Sequence, residues 1–211
     1  VSAGAADRLL ALARVLLDGI DRPELAAFLA DWPAPDAARR AAEPRPLPVL
    51  RWLDALAPVA ETRALVAGLV DAAPGLAWGQ TYGAGDVDPH FLERYGWTEL
   101  AGLRGPVADD RLACGFLLLG PDVEYPPHNH AAEEIYLPLA GTADWMRGGE
   151  GWSRRRPGTL IHHPSWIPHA MRTGDEPLLA LYLWRGGDLA QKSTMLPAGP
   201  DTTEEGRDDR P

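Results

Sequence analysis

Between Gly120 and Gly141 the chain reads GPDVEYPPHNHAAEEIYLPLAG, and no other stretch limits the fold so sharply. Alternate side chains of an extended strand share a face. If the segment is extended, His128, His130, Glu134 and Tyr136, all at even positions, fall on one side, and the small Ala132 leaves room between them. Two imidazoles two residues apart with a carboxylate four residues on form a metal-ligand pattern, pairing borderline nitrogen donors with one hard oxygen. One such residue alone is ordinarily a surface or satisfied side chain. Several in register call for a common cause, and a further ligand is expected from another strand.

The supplier is His169 in GTLIHHPSWIPHAMRT, where Pro164 and Pro168 bracket a short turn before the chain re-enters a strand. Here the sequence resembles the cupin superfamily. Its first motif, G-x(n)-H-x-H-x3-E-x6-G, is kept by His128, His130, Glu134 and Gly141, although Gly120 lies further from His128 than the motif prescribes. Its second, G-x5-P-x-G-x2-H-x3-N, is met by Gly158, Pro164 and His169, with Trp166 in place of the glycine and Thr173 in place of the asparagine. The resemblance implies a jelly-roll-like β-barrel holding one divalent metal ion.

The rest of the chain supports a mainly β protein with an α-helical N-terminal extension. From Ala6 to about Ile20 apolar residues recur at helical spacing, and Asp21 with Pro23 reads as the start of a second helix. Ala37 to Ala42 reads as a further turn or two, and Val49 to Leu56 and Glu61 to Ala72 as two more helices. After Pro74 alternation and Gly-rich turns replace helical periodicity. Strands are expected at about Gly96–Leu103, Arg111–Leu119, Glu133–Ala140, Thr142–Arg147, Thr159–His163, His169–Arg172 and Leu178–Trp184. We therefore divide the chain into a helical region, 1–80, packed on the barrel, a metal-binding barrel, 81–187, and a flexible tail, 188–211, that is polar and poor in aromatic residues. In the last strand Leu179, Leu181 and Leu183 share one face, and Ala180, Tyr182 and Trp184 share the other, read as pocket lining.

Composition narrows the partners. The formal charge of -10 over 211 residues argues against nucleic acid or an anionic membrane. Cys114 is the only cysteine, so an intrachain disulfide is excluded and nothing demands an oxidising compartment. Asp7, Arg8 and Arg14 interrupt any signal-like apolar run near the start, and no run is long enough to cross a bilayer. A cytoplasmic location is expected. Subunit number is left open, a homodimer included.

Within the cupins, YPPHNHAAEEIYLPLAG, the helical extension and Trp184 near the end of the barrel resemble the dimethylsulfoniopropionate lyases, in particular the DddQ group, over about Tyr95 to Arg185. That resemblance implies cleavage of a small zwitterionic sulfonium to dimethyl sulfide, acrylate and a proton. It places metal ligands at His130, Glu134 and His169, with His128 as a further ligand or close neighbour, and the catalytic tyrosine at Tyr136. Tyr125, just before Pro126, is a second candidate for the chemistry.

The chemistry is coherent with those residues. A β-elimination needs a base for the proton α to a carboxylate, and a free phenol is a weak one, with a pKa of about 10. A neighbouring divalent ion lowers it and stabilises developing negative charge. A sulfonium suits aromatic faces, a gain of roughly 0.5 to 2 kcal/mol. Trp184, Tyr125, Trp166 and Tyr182 are the candidates for that contact, and His163, before the second-motif turn, for a place near the pocket or for a partner to the ligands. The donor set accepts Zn, Fe(II), Mn, Co or Ni. Two rivals stand beside this reading: another metal-dependent cupin enzyme such as an Fe(II) oxygenase, separable by oxygen uptake, and a non-catalytic cupin that binds a small cationic osmolyte without releasing product.

Overall fold

The computed structural model describes residues 3–197. Helix α1 (Ala3–Asp18) turns its Leu9, Ala13 and Leu17 stripe inward, as the periodicity predicts. Helix α2 (Leu25–Ala30) begins after Glu24 without a side-chain cap, so the cap expected at Asp21 is not formed. Pro48–Ala55 is a 3-10 helix rather than an α-helix, and α3 (Arg63–Ala72) follows. The turns expected at Ala37–Ala42 are absent; Arg39 instead makes an isolated bridge to Val107. A short helix that the sequence reading missed, α4 (Pro89–Glu93), is capped by the Asp88 side chain on the His90 N–H. Among the described residues no helix is long and apolar enough to cross a membrane.

The strands are β1 (Trp78–Gly79), β2 (Tyr95–Gly102), β3 (Val107–Ala108), β4 (Leu112–Leu119), β5 (Glu124–Asn129), β6 (Glu133–Ala140), β7 (Ala143–Arg147), β8 (Ser153–Arg155), β9 (Ile161–His163), β10 (His169–Thr173), β11 (Leu178–Arg185) and β12 (Thr194–Met195). They form a seven-stranded sheet, ordered β1-β2-β4-β11-β6-β9 with β3 on β2, and a five-stranded sheet, ordered β12-β5-β10-β7-β8. This is a cupin β-barrel with helices on one side. Two of the regional expectations are corrected: β1 lies within the stretch assigned to the helices, and residues 188–197 are not a loose tail. Leu189 is buried and Thr194–Met195 pair with Asn129 and His128. The remainder of the expected tail, 198–211, lies outside the described residues.

Side-chain alternation explains the layering. Leu179, Leu181 and Leu183 of β11, with Ile135, Leu137 and Leu139 of β6, join the helical residues in one apolar core. The opposite faces contribute Ala180 and Tyr182 of β11 and Tyr136 of β6 to a second cluster inside the barrel. Each fully buried Leu in the outer core contributes about 1.5–3 kcal/mol. Thr62, before α3, ties the layers together by donating from Oγ1 to the Leu139 carbonyl at 2.6 Å.

Two motif positions show why their residues matter. Gly141 ends β6 with φ 75°, and a Cβ there would lie 1.9 Å from the Pro177 carbonyl oxygen; only glycine fits that turn. Trp166, standing where the cupin motif has glycine, nevertheless adopts φ 63°. The turn keeps its shape at the expense of local strain.

Candidate metal centre and active-site cavity

The ligand stretch is not one extended strand. His128 lies on β5, His130 in the turn after it, and Glu134 and Tyr136 on β6, in the other sheet. Convergence arises because the chain crosses between the sheets at Ala131–Ala132, bringing His130 back over Glu134. His169 opens β10, opposite His128 in the register.

His130, Glu134 and His169, all buried, present ligand atoms within 4.8 Å of one another. Around Glu134 Oε2 stand His130 Nε2 at 3.1 Å, His169 Nε2 at 3.2 Å and His163 Nδ1 at 3.3 Å. The tautomers follow from the partners. His130 Nδ1 donates to the Ala132 carbonyl at 2.9 Å and His169 Nδ1 to that of Ile167 at 3.0 Å. With each Nδ1 so engaged, Nε2 is the ring nitrogen turned toward the carboxylate and available to a cation placed between them. Carbonyl-anchored imidazoles are also how metal-binding histidines are usually held. These residues fit a divalent ion, and His130, Glu134 and His169 would hold it.

Neighbours tune the carboxylate. Burial alone would push the Glu134 carboxyl up, but the His130, His163 and His169 rings outweigh it and hold it well below the usual range. Trp184 Nε1 donates to Glu134 Oε1 at 2.5 Å. On the solvent side of the same strands, Glu133 takes a separate set of partners, His162 at 2.8 Å and Arg185 at 2.9 Å.

The other candidates divide. His128 is not in the three-residue group. Its Nδ1 donates to Pro126 at 2.8 Å, and its ring stacks on Tyr125 at 4.0 Å and lines the cavity beside the triad. Of the two places expected for His163, the structure gives the one beside the ligands, stacked on His169 at 4.0 Å and 3.3 Å from Glu134, and not the substrate contact on the cavity wall. Trp166 is 51% exposed and away from the cavity, which corrects its assignment as a substrate contact. The chain passes outward there because the residue's N–H is bonded to the His130 carbonyl on the far side of the turn.

Tyr125, Tyr136, Tyr182 and Trp184 do face one cavity, of about 240 Å³. Burial pushes the Tyr136 phenol well above its ordinary value, and the Glu134 charge adds to that. Burial likewise raises Tyr125 and Tyr182. The sequence reading missed Trp97 and Glu99 on β2, Arg104 beyond it, and the Leu189–Ser193 segment, all of which line the cavity. Alternation along β2 was a usable signal for Trp97 and Glu99; the segment after Gly187 carried none.

A model of the dimethylsulfoniopropionate lyase family matches residues 25–180. The chain belongs to that family. Its DddQ-group character, read from the motif around His130, is borne out by the relatives. The dimethylsulfoniopropionate lyase DddQ of Ruegeria pomeroyi is 42% identical over 109 residues, covering 52% of this chain and 54% of the relative. The putative dimethylsulfoniopropionate lyase DddL of Cereibacter sphaeroides is 35% identical over 115 residues, covering 54% and 47%. The chain thus spans about half the length of the curated relatives it matches. Two solved lyase structures align more completely. The crystal structure of DddQ from Ruegeria pomeroyi superposes with a TM-score of 0.80 at 34% identity, covering 91% of this chain and 96% of that one. A chain from the crystal structures of the lyases RdDddP and RnDddQII gives 0.83 at 33%, covering 92% and 98%.

Proposed function

We propose that the protein is a metal-dependent lyase that cleaves dimethylsulfoniopropionate to dimethyl sulfide, acrylate and a proton. The observation that carries this reading is the convergence of the His130 and His169 Nε2 atoms on Glu134, directly behind a cavity wall formed by His128, Tyr136 and Trp184, the last of which is hydrogen-bonded to Glu134. A divalent ion held by His130, Glu134 and His169, for which Zn, Fe(II), Mn, Co and Ni are candidates, would offset the carboxylate charge beside the Tyr136 phenol and stabilise negative charge developing on a substrate carboxylate.

Tyr136 is the base in this reading. Its phenolate removes the proton α to the substrate carboxylate, the C–H pair becomes the new carbon–carbon π bond, and the C–S pair leaves with sulfur as neutral dimethyl sulfide. No acid is required for the leaving group. The near-complete burial of Tyr136 keeps water from competing for its proton. Trp184 presents a ring face for the sulfonium methyls and, through Nε1, fixes the Glu134 carboxylate. His128 and Tyr125, stacked on each other, form the wall next to the triad and limit how the substrate carboxylate can approach. A cytoplasmic site of action belongs to the same proposal, on the ground of the single, buried Cys114.

Purified protein loaded with each metal in turn, and a chelated control, should be given dimethylsulfoniopropionate and the headspace assayed for dimethyl sulfide. Release that depends on metal supports the reading. Absence of release with every metal, or substrate-dependent oxygen uptake instead, overturns it.

A further inference from the structure

One row of paired residues crosses four neighbouring strands of the large sheet. Tyr136 on β6 is opposite Tyr182 on β11, Tyr182 is opposite Gly115 on β4, and Gly115 is opposite Glu99 on β2. Alternation points Tyr136, Tyr182 and Glu99 into the same cavity, which they line together. Three strand spacings separate the ends of the row, about 14 Å between backbones. Gly115 contributes no side chain, and a Cβ there would lie 2.7 Å from the Tyr182 hydroxyl. The Tyr182 ring therefore reaches over Gly115 toward β2, with the Trp184 ring 6.5 Å away on the side nearer Glu134.

Glu99 is 7% exposed. Its Oε1 is used by the fold, accepting from the N–H groups of Arg104 at 2.5 Å and Gly105 at 2.7 Å. Its Oε2 has the Arg104 guanidinium only at 4.0 Å. That guanidinium is turned to the carbonyls of Leu189 at 3.3 Å and Ala190 at 2.8 Å, and lies 6.0 Å from the Trp97 ring centroid. The cavity thus has on one side Tyr136 and Trp184, which adjoin the metal ligands, and on the other a carboxylate whose second oxygen has only the Arg104 guanidinium at 4.0 Å, in a lining shared with Trp97 and Tyr182.

We propose that Glu99 is the anionic partner of the substrate's onium group, selecting a cationic over a neutral dimethyl head. The inference rests on the lyase reading, which sets the substrate carboxylate at the triad and so directs the other end of a short zwitterion along the row. Aromatic faces alone favour a charged head only modestly; a carboxylate at the end of the row adds a preference that a neutral head does not share. The second oxygen also explains how Glu99 serves both tasks, since the turn at Arg104–Gly105 needs only Oε1.

The test is Glu99→Gln, whose amide oxygen can still accept from the Arg104 and Gly105 N–H groups, so the turn is preserved. Two ligands are compared: dimethylsulfoniopropionate, and 4-methylpentanoate, its neutral-headed isostere with CH in place of the sulfonium sulfur. In E99Q, KM for dimethylsulfoniopropionate should rise about tenfold or more, with kcat little changed. The inhibition constant of 4-methylpentanoate should stay within about twofold of wild type. An unchanged KM, or a parallel rise for both ligands, overturns the role of Glu99. If the wild-type protein releases no dimethyl sulfide, it is the lyase reading that fails. Calorimetric binding of the two ligands to wild type and E99Q then decides the charge preference: loss of sulfonium selectivity in E99Q upholds it, and equal selectivity in both proteins, including none in either, overturns it.

Discussion

Trp184 Nε1 donates to Glu134 Oε1 at 2.5 Å, while its ring lies 4.1 Å from that of His130. The sequence reading assigned this tryptophan to the substrate, but its indole N–H also fixes a carboxylate of the triad. Partners of metal ligands typically contribute 10–100-fold to metal affinity. Trp184→Phe keeps an aromatic face and removes the donor, so it should weaken metal binding by about tenfold with a smaller effect on KM at saturating metal. Trp184→Ala should impair both. Competitive metal titration against a chromophoric chelator checks the first point, and an affinity equal to wild type in both variants would remove Trp184 from the metal site.

Tyr136 sits two residues beyond Glu134 on the inward face of β6, against Trp145 at 5.4 Å and His163 at 5.8 Å. Phenylalanine fills that space. Tyr136→Phe should therefore fold, bind metal and bind substrate as wild type does, yet lose about 10²–10⁴-fold in kcat, the range expected for loss of a general base. Single-turnover assays with metal content measured on the same sample are the check. Dimethyl sulfide release at the wild-type rate would pass the role to another group, Tyr125 first.

Much of this was legible because it is periodic. The inward faces of β6 and β11 follow from alternation, and Leu179, Leu181 and Leu183 separate from Tyr182 and Trp184 as written in the sequence. Gly141 and His169 were found through motif spacing. What periodicity cannot encode is a change of direction. His128 and Glu134 have the parity of one strand but sit in different sheets, because the chain crosses at Ala131–Ala132 and the crossing reaims His130. Cavity-facing Arg104 and the Leu189–Ser193 segment escaped for a related reason. They are placed by long-range contacts, Arg104 to the Leu189 and Ala190 carbonyls and Lys192 to Asp86 at 2.8 Å, which leave no local pattern.

Trp166 occupies a left-handed conformation, φ 63°, and is 51% exposed. For an ordinary residue that conformation costs roughly 1–2 kcal/mol, partly offset in a glycine variant by the greater freedom of its unfolded chain. Trp166→Gly should accordingly match or slightly exceed wild type in its urea midpoint and leave KM within about twofold. A KM raised severalfold would return Trp166 to the substrate site despite its position outside the cavity.

Acid should destabilise the metal-free protein through its buried histidines. Burial pushes His163 down from 6.5 to about 3, helped by the neighbouring His169 ring, and burial pushes His128 down too. Between about pH 6.5 and 3 the unfolded chain carries a proton on residue 163 that the folded chain refuses. Stability contributed by keeping that ring neutral is thus present above 6.5 and lost as the pH falls. Glu134, whose carboxyl is held low, begins to act only below its ordinary value of 4.5, while Glu99, raised by burial, acts above it with the opposite sign, so in the window from 6.5 to 4.5 the comparison of two proteins is what isolates residue 163. Chelated wild-type protein should lose unfolding free energy as the pH falls across this window. His163→Gln, which can still donate to Glu134, should reduce that slope by about 1.4 kcal/mol per pH unit. Urea titrations of the two proteins at several pH values measure it. Equal slopes would mean that the His163 ring takes up its proton inside the fold, shared with the Glu134 carboxylate 3.3 Å away.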